Sequence, residues 1–149
     1  MERAAELTPN ALPVYRSPEG MVEVLQPSYP VYCVRTAKIR EVAKIFLRGF
    51  PGDVLYAVKC NSEPHMLQEL YQAGVRHFDT ASLPEIALVS EMFSDGQTYF
   101  MHPVKSRAAI SSAYRDYGVR YYVVDHPSEL EKISDLIDPD PEVVIVVRI

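Results

Sequence analysis

A chain of 149 residues, 48% hydrophobic and 23% charged, has the make-up of a globular protein with one ordinary core. Its formal net charge of -5 offers no basic surface to nucleic acid, and no apolar run approaches the roughly 20 residues of a membrane span. The charged opening MERAAELTPN lacks a secretory core, which points to the cytoplasm; the two cysteines, Cys33 and Cys60, form no metal-ligand cluster and are expected as reduced thiols.

The first thirty or so residues read as an irregular lead-in. Pro9, Pro13, Pro18, Pro27 and Pro30 resist both helix and central strand. The apolar piece at 21–25 fits an edge strand or a single helical turn. PVYCVRT at 30–36 reads as a strand, with Thr36 ending it and able to cap a helix. The following stretch sets Ile39, Val42, Ala43, Phe46 and Leu47 on one helical face, and Gly49, Pro51 and Gly52 stop it. DVLYAVK is the next strand. Ser62 can cap a helix carrying Met66, Leu67, Leu70 and Tyr71, which Gly74 closes.

VRHFDTA is a strand, and Ser82 with Glu85 has the spacing of a capping box for the helix after it. TYFMHP, a helix ending near Gly118, VRYYVVD, a helix with Leu130, Ile133 and Leu136, and EVVIVVRI complete the order. Strands and amphipathic helices thus alternate, which predicts a parallel sheet with crossover helices. The tight spacing suits a (β/α) barrel or a doubly wound sheet. Neither common glycine-rich nucleotide fingerprint follows any strand. The β-branched run EVVIVVRI reads as a buried central strand, so its place at the end suggests the front part of a longer protein.

The stretch YAVKCN at 56–61 poses the chemical question. Alternation along residues 54–59 puts Leu55, Ala57 and Lys59 on one face, so an amine stands two residues from a small side chain, at the carboxyl end of a strand. That end is where parallel α/β folds build their sites. It also turns Cys60 away, into a structural place. Lysine can end a strand simply by snorkelling to water. The other strands, however, deliver Asp79, His102, Asp125 and Arg148 to the same rim. Asp125 has the plain alternative of capping the helix at Pro127, His102 of being a loop residue, and Glu85 of serving the capping box. Asp79 and Arg148 stand in apolar strands, where a charge is costly unless paired. An Asp–Arg–Lys group would compensate itself and could hold a charged cofactor. A desolvated lysine near another cation is the nucleophile of Schiff-base chemistry, with pyridoxal phosphate or directly with a carbonyl substrate.

YAVKCN, HFDTASLPEI, HPVKS, VVDHPSEL and VVRI, in this order, resemble the ornithine/diaminopimelate/arginine decarboxylase family from about residue 30 onward. Cys60 after the lysine looks most like the ornithine decarboxylase branch. The resemblance implies a partial (β/α)8 barrel of the alanine-racemase-like type. About the first five barrel strands are present over 37–149, and residues 1–36 form a lead-in with a strand from the β-domain. It implies pyridoxal 5'-phosphate, with Lys59 forming the Schiff base, Ala57 lining the ring, Asp79 and Arg148 as polar supports and Glu85 behind them. It implies decarboxylation of a small basic amino acid, foremost L-ornithine to putrescine in polyamine biosynthesis, by a cytoplasmic homodimer.

Diaminopimelate or lysine as substrate, and a non-catalytic relative of the antizyme-inhibitor type, are the alternatives. An alanine racemase is disfavoured, because NSEPHML lacks the stretch expected after its lysine. Two departures stand out: Thr80 where the family often has cysteine, expected to face the helix layer with little effect, and His102-Pro103-Val104-Lys105 where it often has Asn-Pro-Cys-Lys, which bears on substrate preference. A histidine stacked on the ring, a glycine-rich phosphate loop, an acid on the pyridine nitrogen and a partner-subunit Cys–Asp pair are all expected beyond Ile149. The 149-residue chain alone is therefore expected to be inactive.

Overall fold

The computed structural model describes residues 12–149, which divide into two compact units between Arg35 and Thr36. In the first, helix α1 (Pro18–Leu25) extends the single turn that residues 21–25 allowed back into the proline-punctuated lead-in, and excludes the edge strand. Ser17 and Pro18 explain it: the Ser17 hydroxyl accepts from the Gly20 amide at 3.1 Å, and proline is pre-set for the first helical position. Gln26 ends the helix in the left-handed region, its amide donating to Val22 O. The strand expected at 30–36 is not formed. Residues 31–35 are exposed and irregular, and Thr36 already belongs to the next helix. A strand exists only by pairing, and no described strand runs beside this segment.

The second unit is built from β1 (Leu55–Ala57), β2 (His77–Thr80), β3 (Gln97–Phe100), β4 (Tyr121–Val124) and β5 (Val144–Val147). They make one parallel sheet in the order β1-β2-β3-β4-β5. Each new strand adds beside the last, so the sheet never reverses as a doubly wound sheet must. Helices α2 (Thr36–Gly49), α3 (Pro64–Ala73), α4 (Leu83–Met92), α5 (Arg107–Arg115) and α6 (Pro127–Ser134) follow the same succession, α2 against α3, α4 against α5 and α5 against α6. This is a segment of a (β/α) barrel. No described helix is long and apolar enough to cross a membrane.

Strand alternation sorts the side chains. Val58, Phe78 and Val75 meet Leu67, Leu70, Val89 and Phe93 in one buried cluster; Phe100, Tyr122 and Val124 meet Ile86, Ile110, Val119 and Ile133 in a second. Phe78, fully buried, stacks on Phe93, which in turn stacks on Tyr71. The opposite face carries Ala57, His77, Asp79, Tyr99 and Tyr121. There His77 Nδ1 lies 2.8 Å from the Tyr99 hydroxyl and its Nε2 3.5 Å from Asp53. Burial raises the Tyr99 hydroxyl above its ordinary pKa, and Tyr121 and Asp53 add to that.

The corners leading into β2 and β4 are fastened alike. Gly74 and Gly118, both at positive φ, are each followed by a buried valine and an arginine. Arg76 lies 3.9 Å over the Tyr71 ring and donates to Asp95, which also accepts the Tyr71 hydroxyl. Arg120 lies 4.3 Å over the Tyr114 ring with its Nε 3.1 Å from Asp140, which accepts the Tyr114 hydroxyl. Hydrogen bonding holds both aspartates below the usual carboxylate range.

Phe78 joins the sheet to both α3 and α4, so Phe78→Ala should cost about 3–5 kcal/mol of stability, read by denaturant unfolding with an unchanged slope.

Candidate functional site

The five residues expected at the rim all stand at strand ends: Lys59 after β1, Asp79 in β2, His102 after β3, Asp125 after β4 and Arg148 after β5. Parallel neighbours in a consecutive order place these ends side by side. The local geometry differs from a plain strand at the lysine. β1 stops at Ala57, and residues Val58–Cys60 form a single 3-10 turn. Val58 is buried in the helix-side cluster, and Lys59 is exposed. Cys60 is exposed as well, because the turn ends the alternation that would have tucked it away.

Ala57 and Asp79 are direct partners in the β1–β2 ladder. Asp79 is half-buried, and burial raises its carboxyl above the ordinary aspartate value; the charge of Lys59 pulls it down and that of Glu85 pushes it up. Lys59, Asp79 and Glu85 therefore share one electrostatic site. Glu85 is held in place, its Oε2 accepting the Ala81 amide at 2.8 Å. The expected capping box is not formed: Glu85 takes the amide one residue before the cap, and Ser82 occupies the cap position without a side-chain hydrogen bond. Thr80 turns to the helix side as expected, fully buried, its hydroxyl donating to Tyr99 O at 2.7 Å.

Arg148 is not part of that group. It is exposed beyond β5, its amide donates to Val124 O at 2.8 Å, and its side chain forms no ion pair among the described residues. The expected Asp–Arg–Lys group is thus not assembled among the described residues: Lys59 and Glu85 act on Asp79 through their charge, with no ion pair between Lys59 and Asp79. Capping is also redistributed. Asn61, not Ser62, binds the chain ahead of α3, its Oδ1 accepting the Glu63 amide, and His126, not Asp125, caps α6. Asp125 is left exposed at the rim.

Sequence reasoning missed the most buried charges. Lys105 and Glu129 are buried side by side, with Nζ 3.5 Å from Oε2, and Lys132 reaches Glu129 Oε1. The Glu-x-x-Lys spacing of Glu129 and Lys132 on α6 was the available signal. Burial alone would raise the Glu129 carboxyl, but hydrogen bonds from Lys132 and the Lys105 amide, with both lysine charges, bring it below the ordinary range. Burial lowers the Lys105 ammonium, against the pull of Glu129.

The site's donor set fits a cofactor that carries an aldehyde. It offers an exposed amine free to add to a carbonyl, a small residue two positions before it that leaves room for a flat ring, and a partly desolvated carboxylate within reach of the amine's charge. Comparison with known proteins agrees. Residues 36–149 match the model of the pyridoxal-dependent decarboxylase, pyridoxal binding domain. The lysine/ornithine decarboxylase of Selenomonas ruminantium is 35% identical over 114 residues, covering 75% of this chain and 28% of that protein. Among solved structures, the lysine/ornithine decarboxylase of Vibrio vulnificus, complexed with putrescine, is 30% identical with a TM-score of 0.72, over 87% of this chain and 34% of the other. The arginine decarboxylase of Paramecium bursaria Chlorella virus, bound to agmatine, gives 25% and 0.76 over 88% and 35%. The chain thus spans about a third or less of the length of these relatives.

Asp79 gives a measurable consequence. A carboxyl whose folded pKa is raised contributes stability that is fully present below its unfolded pKa and is lost as pH rises through the folded value. Asp79→Asn should therefore raise the melting temperature of the cofactor-free protein at pH 7. The gain should vanish below about pH 4, where the wild-type carboxyl is protonated in both states. A variant that melts lower at pH 7 would contradict the assignment.

Proposed function

This chain belongs to the pyridoxal-dependent decarboxylases, and on that footing we propose that it forms the lysine-bearing part of an enzyme that decarboxylates a small basic amino acid, with L-ornithine as the preferred substrate and putrescine as product. The observation that carries the reading is the exposed Lys59 amine at the carboxyl end of β1, in the field of the half-buried Asp79. Pyridoxal phosphate, when bound, supplies the electron sink that lets carbon dioxide leave. The chain's own residues prepare for it. Lys59 would hold the cofactor through its amine. Ala57 lines the ring. Asp79 balances positive charge at the reacting nitrogen and helps keep Lys59 oriented, with Glu85 bracing the loop behind it. Arg148, on the far side of the rim, is a polar support for the cofactor or for a substrate carboxylate.

The choice of ornithine rests on Cys60 in YAVKCN and on relatives whose names include ornithine. Lysine is the second reading, favoured by the same relatives that act on both diamino acids by name. Residues His102-Pro103-Val104, which stand at the rim, are placed to bear on that choice. A cytoplasmic homodimer serving polyamine synthesis completes the proposal, and it rests on the family resemblance alone.

Two measurements on the intact protein decide it. Borohydride reduction with pyridoxal phosphate present should fix the cofactor on Lys59, found by peptide mass spectrometry, and Lys59→Ala should abolish both the adduct and activity. Carbon dioxide release measured side by side should give the highest kcat/KM for ornithine, then lysine, with arginine and diaminopimelate lower by about 100-fold or more. A wild-type protein that takes no adduct on Lys59 would refute the enzyme reading.

A further inference from the structure

An ammonium group has three protons to donate. Lys105 places them on three main-chain carbonyls: His102 O at 3.1 Å, Pro103 O at 2.9 Å and Val123 O at 2.7 Å. Its side chain is completely shielded from solvent, and Glu129 supplies the counter-charge. The rest of the residue is tied down too. Its amide donates to Glu129 Oε2 at 3.3 Å, and its carbonyl accepts from Lys132 Nζ at 2.7 Å. This is the coordination a bound monovalent cation would make, with the cation carried on the chain itself. It joins the segment after β3 to the end of β4 and to α6.

The clamped segment is next to the candidate site. Tyr99 pairs with Asp79 in the β2–β3 ladder, and the Met101 amide donates to Thr80 O at 2.9 Å, so residues 101–104 continue along the Asp79 end of β2. His102 is exposed there, its Nδ1 accepting the Val104 amide at 3.2 Å.

We propose that Lys105 is a positioning residue: its ammonium acts as a built-in cation that fixes residues 102–104 as the wall of the mouth beside Asp79, and thereby sets substrate fit. The link to substrate rests on the decarboxylase reading above; the clamp itself rests on the geometry of the three carbonyls. Lys105→Met keeps the bulk and removes the charge. Lys132→Met leaves the ammonium in its cage and loosens only the outer ties, so it serves where the first variant does not fold.

The test uses the intact protein at a temperature well below melting. Lys105→Met should raise KM for ornithine about 10-fold while borohydride still fixes pyridoxal phosphate on Lys59. Lys132→Met should act in the same direction with a smaller change. In cofactor-free protein with isotope-labelled histidine, the His102 ring resonances should shift and broaden in both variants while those of His65 and His77 stay in place. In Lys105→Ala, ammonium chloride should restore the His102 signal where sodium chloride at equal ionic strength does not.

A variant that only melts lower, with KM and the His102 signal unchanged, would overturn the proposal; so would an unchanged Lys132→Met where Lys105→Met does not fold. If wild-type protein takes no adduct on Lys59, the functional reading fails by itself, and the His102 signal alone then decides whether the clamp exists.

Discussion

Parallel strands tied in register leave a side chain no choice of face. Every other residue must enter the helix layer, and those between must point to the barrel side. Phe78 and Thr80 therefore cannot be buried without turning His77 and Asp79 inward, and Tyr122 cannot be buried without presenting Tyr121 and Val123. The burial of the helix side is what drives the arrangement, at roughly 25 cal/mol for each Å² of apolar surface removed from water. The inward groups are carried along at that expense. Asp79 is half-buried and costly when ionised because its neighbours on the strand are deeply buried.

This same parity made much of the fold legible. The succession of β1 to β5 and the helices between them, the core positions on α3, Ile133 on α6, and the inward turn of Ala57 and Asp79 all follow from periods of two and 3.6, whereas Leu130, expected in the core, is exposed. What parity cannot give is where a strand stops. Val58 continues the pattern in burial but not in backbone shape, so Lys59 stands on a turn and Cys60 comes out to solvent. Nor can it supply a partner, and the segment at 31–35 has strand composition with no pairing to any described strand. Arg148 shares the inward parity of β5, yet parity says nothing of distance around the rim, and only Lys59 and Glu85 act on Asp79.

The two rim lysines show how surroundings decide a charge's employment. Lys59 follows a strand by two residues, is exposed, and acts on the half-buried Asp79 only through its charge, so its amine is open to react. Lys105 follows its strand through a loop whose carbonyls turn inward, so its solvation is entirely protein. A fully satisfied buried ammonium has little reason to react, and removing it would strand three carbonyls and leave Glu129 to Lys132 alone for its counter-charge. Nothing in the two residue types distinguishes these fates. The difference lies in which backbone groups the loops leave unpaired, and that is a property of the folded rim.

The fastened corners at Gly74 and Gly118 carry one more consequence. Each tyrosine–arginine–aspartate set ties two successive helix–strand corners, Tyr71 on α3 to Asp95 after α4 and Tyr114 on α5 to Asp140 after α6, and the two sets share no residue. Sites so separated contribute additively. A lesion at Asp95 is felt at the entry to β2 and not at β4, and the reverse holds for Asp140. The barrel wall is in this respect modular: its amino-terminal edge can lose a fastening, or gain a different one, a unit at a time, while the chemistry at the opposite rim keeps its register.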